Sequence, residues 1–227
     1  MNLISDILDD YKSYERCFII GKGASVDKVN LNNLRNELTI CINDSFKFIP
    51  NPKLIFFHDK IFFENNRRNL SELHNAKFIV PFLLNDFKNN FKREKILSIN
   101  YISIRKYPNV YFYNKFQTTI VELLLKPNFL NKIDKLDNTL VGLSGTLISA
   151  IHFAHKLNIK KVNLIGIDGC NFLKKQLSYS KKFSNIKVSN KNCLIYNIIK
   201  FEALFLLKYF NISYKFLGIN KHYSSKV

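Results

Sequence analysis

The tightest constraint on the fold is the run Phe18-Ile19-Ile20-Gly21-Lys22-Gly23-Ala24-Ser25, where a short apolar stretch stops at two glycines flanking one residue. An apolar run bounded in this way reads as a buried strand entering a tight turn. Glycine accepts backbone angles that a Cβ forbids, so the chain bends sharply and its N–H groups stand unscreened by side chains. A helix starting there would add its N-terminal amides, and together these suit a phosphate. The same turn also serves strand-to-helix geometry alone, with no ligand. Two phosphate motifs are excluded by spacing. The dinucleotide fingerprint needs a third glycine where Val26 stands, and no Gly-Lys-Ser/Thr follows a second glycine, as a P-loop requires.

Strand-like and helix-like segments alternate along the rest of the chain. After a short amphipathic N-terminal helix, strands are expected at 17–20, 38–42, 54–57, 77–81 and 110–113, with helices at 30–36 and 61–74. Residues 83–103 are polar and irregular and read as a loop or lid. Helices follow at 144–157 and 193–210, with strands at 161–167 and 212–217. This order predicts an α/β fold: a single Rossmann-like domain over residues 1–227, with a mostly parallel sheet and helices on both faces. Ligands of such sheets sit beyond the carboxyl ends of the strands. The polar strand exits Gly21 to Ser25, Asn43 to Ser45, His58-Asp59, Asp168 to Asn171 and Asn220 to Ser224 are therefore the places to look for a site.

The formal charge of +18 would suit nucleic acid, an anionic membrane face or a polyanionic substrate. The lysines are dispersed, however, and no zinc-finger spacing or aromatic–basic RNA motif occurs, so no nucleic-acid partner is expected. Peripheral contact with an anionic membrane and a merely solvated basic surface both remain open. Cys17, Cys41, Cys170 and Cys193 form no Cys-x-x-Cys pair, which fits a reducing cytoplasm. The N-terminus lacks the basic and apolar regions of a signal peptide, and no apolar run approaches a membrane span. The expected location is the cytoplasm, at most peripheral to the inner membrane.

Several segments then follow in a recognisable order. They are Gly21-Lys22-Gly23-Ala24-Ser25-Val26, Cys41-Ile42-Asn43-Asp44-Ser45-Phe46 and Phe56-Phe57-His58-Asp59, then Leu143-Ser144-Gly145 opening a helix and Leu164-Ile165-Gly166-Ile167-Asp168 on a strand. In order and spacing the chain resembles the small bacterial sialyltransferases of lipooligosaccharide and capsule synthesis, and the related 6-hydroxymethylpterin pyrophosphokinase-like domains. The likeness runs over about residues 18–217. It implies a GT-A-like variant of the Rossmann-like fold and a glycosyltransferase that moves a sugar from a CMP-sugar or related nucleotide sugar to a surface glycan or glycolipid. No metal is required in that reading. Gly21, Lys22, Gly23 and Ser25 match the turn against the donor's cytidine monophosphate, and Asn43 matches a donor-contacting asparagine. Ser144 and Gly145 match the Ser-Gly that opens the long helix, while Gly166 and Asp168 match the strand end lining the same pocket. The catalytic half departs. No histidine lies between Asp168 and the helix near 193, Cys170 stands for a tyrosine, Val141 for an arginine, and His58-Asp59 for Asn-Pro.

Glycosyl transfer with inversion needs a base for the acceptor hydroxyl and positive charge near the leaving phosphate. His58 and Asp59 are the candidate catalytic residues; the alternative is that His58 bonds locally at the strand end and Asp59 caps the following helix. His222 is a second candidate base. His152 and His155, inside the apolar 144–157 helix, read as structural or surface residues. Lys22 either offsets phosphate charge or is a solvated turn lysine, and Asp168 either meets a ribose or base or caps the next turn. No metal-ligand spacing occurs. Two further classes stay open: a pyrophosphokinase-like transferase, which would need magnesium held by carboxylates, and a nucleotide-binding accessory domain without turnover.

Overall fold

Strands buried on both faces read as continuous apolar runs, and Cys17-Phe18-Ile19-Ile20 and Leu54-Ile55-Phe56 are such runs, every side chain buried. The computed structural model describes residues 1–58, 60–82, 107–126, 128–169 and 190–218. Its strands are β1 (Asn2–Leu3), β2 (Arg16–Ile20), β3 (Thr39–Ile42), β4 (Leu54–Phe56), β5 (Lys77–Phe82), β6 (Val110–Gln117), β7 (Thr139–Gly142), β8 (Lys161–Ile165) and β9 (Ser213–Leu217). All pairings are parallel, in the order β9-β8-β2-β3-β4-β5-β6. β1 and β7 share the far side of β6, at Tyr111–Phe112 and Asn114–Gln117 respectively. The helices are α1 (Lys60–Glu72), α2 (Ile120–Leu125), α3 (Asn128–Asp134), α4 (Thr146–Lys156) and α5 (Asn190–Tyr209).

Two hydrophobic clusters sandwich the sheet. On one face Leu130, Ile133, Ile148, Ile151, Phe153 and Leu206 of α3, α4 and α5 cover Ile19, Ile40 and Phe56. On the other, Phe62 and Phe63 of α1 join Phe46 and Phe57 over Ile20, Cys41 and Phe78. Cys17 and Cys41 are fully buried free thiols, and burial pushes both well above the usual thiol range. They are small core hydrophobes. No described helix is long and apolar enough to cross a membrane.

The chain leaves β2 and walks outward through β3, β4, β5 and β6, then returns so that β8 lies on the other side of β2. The strand order reverses between β2 and β8, and at such a reversal the flanking loops diverge to opposite sides of the sheet and leave a crevice. The parallel α/β architecture expected of the sequence is thus present, and it is consistent with the Rossmann-like class.

Several elements differ from expectation. The N-terminal segment is β1 followed by single 3-10 turns at Ile4–Ile7 and Asp9–Tyr11. Ten residues make a marginal helix in water; here Asp6 accepts the Leu3 N–H at 2.7 Å, Asn138 accepts the Ser5 N–H at 2.9 Å, and Ile4 and Ile7 go into the core. The helix expected at 30–36 is a 3-10 turn, Leu31–Leu34, capped by Asn30. Its apolar pair is spaced by three, and asparagines compete for backbone hydrogen bonds. β7, α2 and α3 were not foreseen. α2 carries a readable signal, a capping box in which Thr119 Oγ1 accepts from Glu122 N at 3.2 Å and Glu122 Oε2 accepts from Thr119 N at 3.0 Å. β8 stops at Ile165 because Gly166 takes a positive φ of 68°. The 83–103 segment read as a loop or lid lies outside the described residues.

His152 and His155 belong to the scaffold. His152 is fully buried; its Nδ1 accepts from Val141 N at 2.9 Å, which leaves Nε2–H to donate to Asp134 Oδ1 at 3.2 Å. His155 Nε2 meets Asp134 Oδ2 at 3.2 Å, and its ring stacks on Phe210 with centroids 4.0 Å apart. Lys156 donates to Asp134 O at 2.7 Å. The cluster bolts the end of α3 to α4. The hydrogen bonds from His152 and His155 hold the Asp134 carboxyl well below its usual range, while burial holds His152 below its own. Each shift favours the folded chain above the unfolded value and loses that contribution on acidification. Asp134→Asn is therefore expected to destabilise at neutral pH by about 1 kcal/mol, the carboxylate being partly exposed. In urea titrations run at a series of pH values, the gap to wild type should narrow progressively below pH about 4.

Candidate functional site

A cleft of about 420 Å³ opens at the carboxyl rim of the sheet, at the reversal between β2 and β8. Its walls come from four strand exits and helix ends: Gly21, Lys22 and Gly23 after β2, Ile42 and Asn43 at β3, Gly145 to Leu147 opening α4, and Gly166 to Gly169 after β8. The fifth wall is one face of α5, with Ile195, Tyr196, Ile199 and Lys200.

The two glycine turns stand back to back. Gly21 N donates to Ile165 O and Gly23 N to Gly166 O, each at 2.8 Å. A Cβ on Gly21 would lie 2.5 Å from Gly166 O, and one on Gly166 would lie 2.6 Å from Gly21 O. Glycine is needed so that two strand exits can touch. This alters the role inferred from sequence, since the amides of Gly21 and Gly23 serve the neighbouring strand exit and are not left for a ligand.

Ser25 and Asp168 lock the same contact. Asp168 Oδ2 accepts from Ser25 N at 2.8 Å, Oδ1 accepts from Ser25 Oγ, and Ser25 Oγ in turn accepts from Gly166 N at 2.8 Å. Ser25 is 3% exposed and is not part of the cleft wall. Asp168 lines the cleft, yet its carboxylate is turned into this clamp.

Ser144 is likewise committed. Glu202 of α5, itself buried, accepts from Ser144 N at 3.0 Å and from Ser144 Oγ at 2.8 Å. This ties α5 to the start of α4 beside Gly145, where a Cβ would come within 3.0 Å of Ile199. No side chain caps α4, and Thr146 and Leu147 of its first turn line the cleft. The first amides of a helix have no partner within it, so the donors the glycine turn does not offer are offered here.

Asn43 holds a left-handed backbone, φ 51°, which asparagine tolerates better than most residues. Its side-chain oxygen is buried without a hydrogen-bond partner, at the cleft wall. A buried acceptor left unpaired is costly; the residue lines the cleft, but this oxygen is itself closed off from it. Lys22 comes within 4.0 Å of Asp44 on the same rim.

His58 stands elsewhere. It follows β4, whose Phe56 pairs with Ile42, so it lies on the same rim and face but outside the cleft wall. Its Nε2 is 2.5 Å from the Tyr113 hydroxyl. Burial, helped by the charge of Lys115, lowers its proton affinity to about 3, so the imidazole is neutral at physiological pH and a weak base. Asp59 and His222 lie outside the described residues. Of the residues selected from sequence, Gly21, Lys22, Gly23, Asn43, Gly145, Gly166 and Asp168 meet at one cavity; Ser25 and Ser144 support it from behind. The α5 wall was missed, although Tyr196, Ile199 and Lys200 recur at the three-and-four spacing of one helix face.

Among the described residues no group of three His, Cys, Asp or Glu is gathered to hold a metal. A parallel α/β sheet with a cleft at its reversal point, walled by uncapped amides and two lysines, is the class these observations define. In comparisons with known proteins, no family model matches the chain and no curated protein matches it.

Gly166→Ala should place a methyl against Gly21 O in a backbone region unfavourable to alanine, at a cost of about 2–4 kcal/mol. Ser25→Ala, which leaves Gly166 N without its acceptor and Asp168 Oδ1 without its donor while the backbone N–H at 25 still reaches Oδ2, is expected to cost about 1–3 kcal/mol. Equilibrium denaturation of the two variants checks both values.

Proposed function

We propose that the chain is a nucleotide-sugar-dependent glycosyltransferase of GT-A-like, sialyltransferase-like type, with the cleft between β2 and β8 as its donor site. The observation that carries the reading is the meeting, in one 420 Å³ cavity, of seven of the nine residues chosen as donor contacts. That volume falls within the range of small-ligand pockets. The first turn of α4 faces it with uncapped amides suited to a phosphate. A CMP-linked sugar is the donor favoured by the sequence resemblance, and a surface glycan or glycolipid the acceptor. The work would be done at the cytoplasmic side of the inner membrane, with the basic chain in peripheral contact with anionic lipid.

A second reading, a nucleotide-binding accessory domain, is favoured by one observation: no histidine or glutamate is among the described residues lining the cleft. A pyrophosphokinase-like transferase would need carboxylates for magnesium, and the one carboxylate among the described lining residues, Asp168, is held by Ser25. Turnover separates the first two. Release of the sugar from CMP-sialic acid supports the transferase, and binding without release supports the accessory domain.

CMP at about 100 times its Kd should stabilise the fold by about 2.7 kcal/mol without magnesium. Thermal denaturation with CMP, UDP, ATP and ATP plus magnesium checks this; stabilisation by none of them overturns the reading. His58→Asn should leave CMP affinity unchanged by titration calorimetry, since His58 is outside the donor cleft.

A further inference from the structure

The donor-site reading makes no use of Lys200, which is the least explained charge in the cleft. Its ammonium is half buried at the wall, donates one hydrogen bond to the Asp168 main-chain oxygen at 3.2 Å, and lies 4.8 Å from the centre of the Phe216 ring. No described carboxylate forms an ion pair with it. An ammonium carries three N–H donors, so the carbonyl leaves this one short of partners. The Asp168 carboxylate, whose charge acts on Lys200, is turned toward Ser25 by two hydrogen bonds. Burial lowers the Lys200 proton affinity, and the attraction of Asp168 only opposes this. A cation withdrawn from water without a counter-ion is costly unless an anion joins it.

The surroundings indicate where that anion would sit. Lys200 shares its helix face with Tyr196 and Ile199, and Ile199 packs against Gly145 at the start of α4. The same α4 end supplies Thr146 and Leu147 to the wall, and Lys22 stands on the β2 side. Glu202, two residues beyond Lys200, fixes this geometry by holding Ser144. The apolar lining (Ile42, Leu147, Ile167, Ile195 and Ile199) leaves Lys22, Lys200 and the helix end as the anion-attracting groups among the described residues.

We propose that Lys200 is the phosphate-binding residue of the cleft, pairing with a ligand phosphate held at the N-terminus of α4. The inference deepens the donor-site reading and rests on it for the identity of the ligand, a phosphate-bearing nucleotide in place of a free nucleoside. It does not rest on that reading for the anion site itself.

The experiment titrates wild type, Lys200→Gln, Lys200→Arg and Lys208→Gln with pyrophosphate, CMP and cytidine by calorimetry. Glutamine keeps a donor for the Asp168 carbonyl while removing the charge. Lys208, exposed in the last turn of α5, controls for loss of one positive charge. Lys200→Gln is expected to bind pyrophosphate and CMP about tenfold or more weakly and cytidine unchanged. Lys200→Arg should recover most of the loss, and Lys208→Gln should stay within about twofold of wild type. Equal losses for CMP and cytidine would assign Lys200 a merely structural role and overturn the proposal. So would equal behaviour of Lys200→Gln and Lys208→Gln, or no pyrophosphate binding by wild type. If pyrophosphate binds in a Lys200-dependent way while CMP and the other nucleotides do not, the anion site stands and the donor-site reading fails; nucleotide binding indifferent to Lys200 gives the converse.

Discussion

The contact between the exits of β2 and β8 is the constraint on which the rest depends. Two backbones approach so closely that neither Gly21 nor Gly166 has room for a Cβ. Ser25 and Asp168 then close the contact with hydrogen bonds to backbone and to each other. These few atoms determine where the strand order reverses and hence where a crevice can form. They also satisfy the Asp168 carboxylate with hydrogen bonds while leaving its charge, so among the described residues Lys22 and Lys200 face a cavity whose one carboxylate already has donors.

A second pattern runs through the molecule: its inward-facing carboxylates serve as fasteners. Asp168 joins the two strand exits, Glu202 joins α5 to the start of α4, and Asp134 joins α3 to α4 through His152, His155 and Lys156. Buried or half-buried acids satisfied in this way add rigidity where a backbone must be held, since each accepts at least two hydrogen bonds. The result is a rim whose helix end and lysine are held by neighbouring elements before any ligand arrives, which lowers the ordering cost of binding.

Much of this was legible from local pattern. The apolar runs of β2, β4 and β8 and the apolar 11-residue helix α4 have periods and boundaries that sequence displays directly. The strand-exit rule selects Gly21, Gly23, Asn43 and Asp168 as neighbours although they are distant along the chain, and the resemblance adds Gly145 and Gly166. β7 was missed because four residues, Thr139–Gly142, are too few to show a period. The resemblance implies ligand contacts at Ser25 and Ser144, but a serine at a turn looks the same in sequence whether its hydroxyl faces a cleft or a buried acid. Which of these holds depends on Asp168 and Glu202, 143 and 58 residues away.

The sequence by itself determined the layered α/β class and the set of polar strand exits, because hydrophobic period and glycine turns act over a few residues. Tertiary structure alone decided that the glycines join two strands, that Ser25 and Ser144 face inward, and that α5 brings Lys200 to the cleft. Those outcomes depend on hydrogen bonds and close contacts between elements far apart in the chain, whose partners no local pattern specifies.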